Sequence, residues 1–192
     1  MKNTTQIRFI TEVAVFSAIA LVLDFIAGWY SNFIWPLGGS ISIAMVPIFI
    51  MSFRWGLKGG LLTGLVVGSL QILWANPAEA PHPLQIILDY PLAYTLVGFS
   101  GLYAKKIANS ENAAKLYYIT IAIIVGGVLR YIPHVILGYV YFRHYLLEDL
   151  PNYIPVIPYI LVYNLGYLVP SIFLSIIVIR LIVRKRVDLI EM

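Results

Sequence analysis

The chain has no cysteine among its 192 residues. That excludes disulfides and thiolate metal sites and leaves the redox compartment unspecified. Charge is scarce as well: only 11% of the residues are Asp, Glu, Lys or Arg, against about 25% in a soluble globular domain. No G-x-x-x-x-G-K-[ST] occurs, so the chain has no phosphate loop of its own for ATP hydrolysis. No H-E-x-x-H occurs either, which removes metalloproteases of that type. What is present is apolar, with 60% hydrophobic and 14% aromatic residues. A chain this short cannot build a core large enough to hide so much apolar surface. Lipid is therefore the expected solvent for most of its side chains.

A helix needs about 20 apolar residues to cross a bilayer. Reading between charges and Pro/Gly clusters gives six spans at 9–28, 40–53, 57–75, 83–104, 115–143 and 156–183. The first segment, "MKNTTQIRFITEVAVFSAIALVLDF", carries positive charge ahead of its apolar run, with no short core and small-residue cleavage site after it. It reads as the first membrane helix rather than a signal peptide. No duplicated span or low-complexity linker marks a second domain, so the expectation is one all-α bundle over 1–192. Lys and Arg accumulate on the cytoplasmic side of membrane proteins. In a six-span arrangement Lys2, Arg8, Arg54, Lys58, Lys105, Lys106, Lys115, Arg180, Arg184, Lys185 and Arg186 fall on one side. The other side has Arg143 with Glu79, Glu148 and Asp149, and Arg130 is left inside the membrane. Both termini are then cytoplasmic. Topology accounts for the net charge of +4, which gives no argument for nucleic acid.

"QIILDYPLAY", residues 85–94, places Asp89 in the middle of an apolar span. It lies six residues past Pro83, about 9 Å into a helix entering from outside. His134 falls about 15 Å below the outer end of span five, and on span six Tyr159 lies near the mouth with Asn164 about 12 Å deep. An acid, an imidazole and an amide thus reach similar depths from three helices. Ionisable groups inside membrane spans are costly and mark substrate or ion paths. Any one of them alone is equally well explained as a hydrogen-bonded knot that fixes helix packing.

Aromatic residues crowd the same side: Trp29, Tyr30, Trp35, Trp74, Tyr90, Tyr139, Tyr141, Phe142, Tyr145, Tyr153 and Tyr159. Most fit an interfacial belt. A subset beside an inward carboxylate would form a box for a flat organic cation, and periodicity does not choose that subset. In the other half, Ala14 and Ala18 form a small-xxx-small pair, and Gly56, Gly60, Gly64 and Gly68 recur every four residues. Such faces let helices approach closely; the glycines read as internal packing. "GFSG", residues 98–101, resembles the G-x-S-G of rhomboid proteases. However, Ser100 lies near the inner end of its span, and His82, His134 and His144 lie in the outer half or outside. A nucleophile must sit within hydrogen-bonding reach of its base, so GFSG also reads as packing.

With these residues placed, three segments carry a family resemblance: "HPLQIILDYPLAY", "LRYIPHVILGYVYF" and "PYILVYNLGY". The chain resembles the thiamine-specific substrate-binding subunit, or S-component, of energy-coupling factor (ECF) transporters, a six-helix membrane protein without catalytic activity. The resemblance covers the chain from "TEVAVFSAIA" to span six. It implies a thiamine pocket with a carboxylate at Asp89, followed by Tyr90. It also implies His134, and one turn later Gly138, where a backbone approaches the ligand. Phe142 stands where some members have tryptophan, and Asp89 where some have glutamate. Tyr159 and Asn164 supply polar contacts, Trp35 an aromatic lid, and Arg130 matches a basic position. Ala14 and Ala18 match an alanine-rich surface that docks the shared transmembrane coupling subunit, itself assembled with two ATPase subunits. The resemblance implies a bacterial cell membrane, no cofactor and no metal, with thiamine as cargo.

The chemistry agrees. Thiamine has a permanently cationic thiazolium, and an unpaired buried charge is costly, so Asp89 would compensate it. Aromatic faces would stack on either ring. Two other readings remain at this stage. One is the same architecture with another vitamin or a thiamine precursor. The other is an autonomous proton-coupled carrier using Asp89 and His134, which the lack of a visible inverted repeat disfavours.

Overall fold

Apolar runs interrupted by glycine, proline and charge become five helices in the computed structural model, which describes residues 2–31, 33–35, 39–74, 82–142 and 154–191. They are α1 (Lys2–Ser31), α2 (Met45–Gln71), α3 (Pro83–Ala108), α4 (Asn112–Tyr141) and α5 (Val156–Lys185). Among the described residues there is no strand. α1, α3, α4 and α5 are each long and apolar enough to cross a membrane. α3 starts where the sequence suggests. His82 is extended and accepts the Leu84 N–H at Nδ1 (3.2 Å), while Pro83 occupies the first turn, where its missing N–H costs nothing.

The expected spans 40–53 and 57–75 are the two arms of α2. Its break is Gly56, at φ 66° and ψ −159°, a region of backbone space open essentially to glycine alone. Beyond it, a Cβ built on Gly59 would lie 2.7 Å from the Met51 carbonyl oxygen, and one on Gly60 2.1 Å from Ser52 Oγ. Residues eight apart in an unbroken helix are separated by roughly 12 Å, so the chain turns sharply back at Gly56. The first arm covers only roughly 16 Å at 1.5 Å per residue, short of a hydrocarbon core of about 30 Å. It differs from a full span because it is the central post of the bundle: every residue from Met45 to Arg54 is buried. A helix that is apolar all round belongs inside. Phe49 stacks on Phe53 (6.3 Å) amid Val67, Val97, Ile123 and Leu168.

The glycine ladder faces α3. A Cβ on Gly60 would lie 2.6 Å from the Gly98 carbonyl oxygen, one on Gly64 2.2 Å from that of Tyr94, and one on Gly68 2.4 Å from that of Tyr90. Gly98 and Gly101 meet the backbone of Gly60 and Gly56 in return, and Ser100 is buried beside them. GFSG is therefore a packing element. α3 itself is irregular: a π turn at Leu88–Leu92 contains Pro91, and a 3₁₀ stretch covers Gly98–Tyr103. Proline lacks the N–H for the regular ladder and its ring displaces the preceding turn, and a widened turn accommodates both.

At the far end of the bundle, buried Arg54 ties three segments together. Its Nε donates to Glu12 (2.7 Å), its Nη2 to the same carboxylate (3.1 Å), and its Nη1 to the carbonyls of Asp188 (2.7 Å) and Glu191. Trp55 Nε1 also donates to Glu12 (2.6 Å), and Lys115 pairs with Glu191 at 2.5 Å. Arg186 binds Asp188 at 2.9 Å, and its guanidinium holds that exposed carboxyl below the usual range. Arg143, Glu79, Glu148 and Asp149, expected on the opposite face, lie outside the described residues.

Candidate ligand-binding site

The π turn of α3 carries Asp89, and one turn past Arg130 on α4 stands His134. Their side chains meet: His134 Nδ1 lies 2.9 Å from Asp89 Oδ1. The imidazole is 8% exposed and the carboxylate 36%, so the acid is the half of the pair that a ligand can reach. His134 Nε2 is buried with no hydrogen-bond partner. Buried polar atoms are normally satisfied, which makes an unmet ring nitrogen beside a carboxylate a binding feature. Asp89 faces this histidine, and the Arg130 guanidinium lies over the Tyr94 ring.

Behind the pair, α5 presents tyrosines one turn apart. Tyr159 stacks on Tyr163 (5.9 Å, 30°), and Tyr163 meets Tyr167 edge-on at 6.3 Å. Tyr167 in turn sets its ring against His134 (6.1 Å, 82°) and against Trp35 (6.4 Å, 85°). Its hydroxyl donates to Asn164 Oδ1 (2.5 Å), while Asn164 Nδ2 donates to the Ile160 carbonyl (2.9 Å). The loop before α2 is fastened onto the same helix. The Ser42 N–H donates to Ser171 Oγ (2.9 Å), and Tyr30 donates to the Ile41 carbonyl. Gly39, at φ 97°, lies under the Tyr167 ring, where a Cβ would come within 2.4 Å of Cε1. This brings Trp35 to α5, half-buried beside Gly166.

A second polar group lies next to the first. Buried Arg130 holds its guanidinium carbon 4.1 Å from the centre of the Tyr94 ring, and its Nε has no hydrogen-bond partner. The Tyr94 hydroxyl donates to Asp24 Oδ1 (2.7 Å), and Gln71 Nε2 donates to Asp24 Oδ2. Asp24 thus reaches the Arg130 guanidinium through the Tyr94 ring.

The structure thus sets His134 and Trp35 against Tyr167 and Asp89 against His134, while Arg130 lies over Tyr94; Asn164 is hydrogen-bonded to Tyr167 and Tyr159 lies further up the tyrosine row. Asn164 is occupied in orienting Tyr167. Gly138 faces Ile160, where a Cβ would come within 2.6 Å of Cγ2, so its lack of a side chain serves helix packing. Tyr90 is half-buried, and its carbonyl lies against Gly68. The side chain of Phe142 lies outside the described residues. Asp24, Gln71, Tyr94, Tyr163 and Tyr167 had not been singled out. Asp24 carried the same signal as Asp89, a carboxylate inside an apolar run, and the tyrosines at 159, 163 and 167 share a four-residue spacing.

Comparison with known proteins agrees over nearly the whole length. The family model described as thiamine transporter protein matches residues 10–191. Thiamine transporter ThiT of Bacillus subtilis is 41% identical over 186 residues, covering 95% of this chain and 93% of the relative. Thiamine transporter ThiT of Lacticaseibacillus paracasei is 30% identical over 185 residues, covering 93% of this chain and 88% of the relative. A solved structure of ThiT from Listeria monocytogenes superimposes with a TM-score of 0.82 at 25% identity, covering 98% of this chain and all of that one.

Proposed function

This chain belongs to the thiamine transporter protein family, and on that premise we propose that it is the thiamine-binding S-component of an ECF transporter. It captures thiamine from outside a bacterial cell, and partner subunits drive the uptake. Its apolar helices and bacterial relatives fit a multi-pass protein of the plasma membrane. The chain passes through the bilayer six times, with the first arm of α2 descending as a post buried among the other helices rather than as a lipid-facing span, and both termini face the cytoplasm. The clustering of Arg54, Lys115 and the C-terminal segment at one end supports that orientation, since basic residues are retained on the cytoplasmic side. Asp89 compensates the thiazolium, His134 uses its free Nε2 on the aminopyrimidine, and Trp35, Tyr90 and Tyr159 flank the rings. Arg130, Gly138, Phe142 and Asn164 complete the wall, partly by fixing neighbouring side chains.

The observation that carries this reading is the Asp89–His134 pair at 2.9 Å, set against Tyr167 with the carboxylate accessible. It is tested by calorimetry on the purified protein with thiamine, with no metal or nucleotide added. Hydrogen bonds to charged groups contribute about 1.5–3 kcal/mol and neutral ones about 0.5–1.5 kcal/mol. Asp89→Asn should therefore weaken binding by about 10- to 100-fold, and His134→Gln by no more than about tenfold. Equal affinity of wild type and Asp89→Asn would rule out the charge assignment.

A further inference from the structure

Asp24 is the half-buried carboxylate that the binding scheme leaves unused. It comes from α1, accepts Gln71 from the end of α2, and accepts the Tyr94 hydroxyl of α3 at 2.7 Å. On the face of that same tyrosine lies the guanidinium of Arg130 from α4, 4.1 Å from the ring centre. Four helices thus meet at one chain of contacts: carboxylate, phenol, cation. A phenol that donates its proton toward a carboxylate becomes richer in ring electron density, which strengthens the attraction of the ring for a cation over its face. The carboxylate also acts directly on the guanidinium through a low-dielectric interior. Arg130 Nε remains without a hydrogen-bond partner, so nothing else of that kind anchors this nitrogen.

We propose that Asp24 is the counter-ion of Arg130, a positioning residue that holds the guanidinium on Tyr94 and so keeps Asp89 free of any fixed cation. An arginine released from Tyr94 and paired with Asp89 would cancel the charge meant for the ligand. Asp24 thereby sets the preference of the site for a cation over a neutral molecule of the same shape. The choice of ligand rests on the thiamine reading above; the pairing of Asp24 with Arg130 does not.

The test is a double-mutant cycle with two readouts. In titrations, Asp24→Asn should weaken thiamine binding at least tenfold in the wild-type background and less than twofold in an Arg130→Met background. An analogue with an uncharged ring in place of the thiazolium should lose less than threefold in either background. In ligand-free melting, Asp24→Asn should lower Tm in the wild-type background and leave Arg130→Met unchanged. Tyr94→Phe, which removes only the hydroxyl, should follow the same pattern at smaller size and stands in if Asp24→Asn does not fold. Equal losses in both backgrounds would make Asp24 a helix-packing residue and overturn the proposal, as would no loss in either. If the wild type bound no thiamine, the thiamine reading would fail, and the melting cycle would still decide whether Asp24 and Arg130 are a pair.

Discussion

Asn164 is buried, and both ends of its amide are engaged: Oδ1 takes the Tyr167 hydroxyl and Nδ2 reaches the Ile160 carbonyl. Its effect on a ligand therefore passes through the ring of Tyr167, which sits between His134 and Trp35. Leaving one buried partner unsatisfied costs about 1–3 kcal/mol, whereas replacing both by apolar groups is close to neutral. Asn164→Leu and Tyr167→Phe should each lower unfolding stability by about that amount, and the double variant should lose distinctly less than their sum. Thermal unfolding in detergent reads this; strict additivity would mean the hydroxyl and amide are not coupled. At this scale the sequence was readable where chemistry is rare in its surroundings. Asp89, His134 and Arg130 stand out from apolar neighbours, and the first two meet at 2.9 Å while Arg130 lies over Tyr94. Tyr163 and Tyr167 did not stand out, because tyrosine is equally at home in an interfacial belt and a helical row does not reveal which face turns inward. Asp24 was as visible as Asp89 but lay in the run read as the first membrane helix, where nothing indicated partners on α2 and α3.

Helix starts were legible wherever a proline or an extended capping residue marked them, as at Pro83 and Val156. The arms of α2 were legible as two runs. That the first is a buried post was not, because a short apolar run reads the same whether lipid or protein surrounds it. The glycine ladder was read as packing, and the structure supplies its partner: the α3 backbone that carries Tyr90, Tyr94 and Gly98. A Cβ at Gly64 would stand 2.2 Å from the Tyr94 carbonyl oxygen, a backbone atom that cannot rotate away. Overpacking of this kind costs about 1–3 kcal/mol. Because α3 also carries Asp89, Gly64→Ala should lower the melting temperature and weaken thiamine binding together. Gly28, with nothing within 4 Å of its built Cβ, is the control and should tolerate alanine in both measurements. Unchanged binding and melting in Gly64→Ala would show that α2 and α3 can separate without disturbing the site.

The whole molecule is polarised along the bundle axis, with the acid–imidazole pair toward one end and the Arg54–Glu12 cluster at the other. α1 runs between them and has two faces. Val13, Ser17, Ala20 and Ala27 are buried, while Ile10, Val15, Ile19, Val22 and Ile26 are exposed. Ala14 and Ala18 lie on the exposed side, one turn apart, and leave a shallow track between larger side chains. Small residues at such spacing let a second helix approach closely in a membrane. On the S-component reading proposed above, concentrative uptake draws its energy from partner subunits. Ala14→Trp and Ala18→Trp should each abolish co-purification with an ECF module and ATP-driven uptake, while thiamine affinity stays within about twofold of wild type, a difference of roughly 0.4 kcal/mol. That separation follows from the fold, since neither alanine touches the buried face of α1 that carries Asp24. Parallel titration and pull-down of each variant decide the matter. Loss of binding together with assembly would place these alanines in the packing of the bundle and remove them as a docking surface.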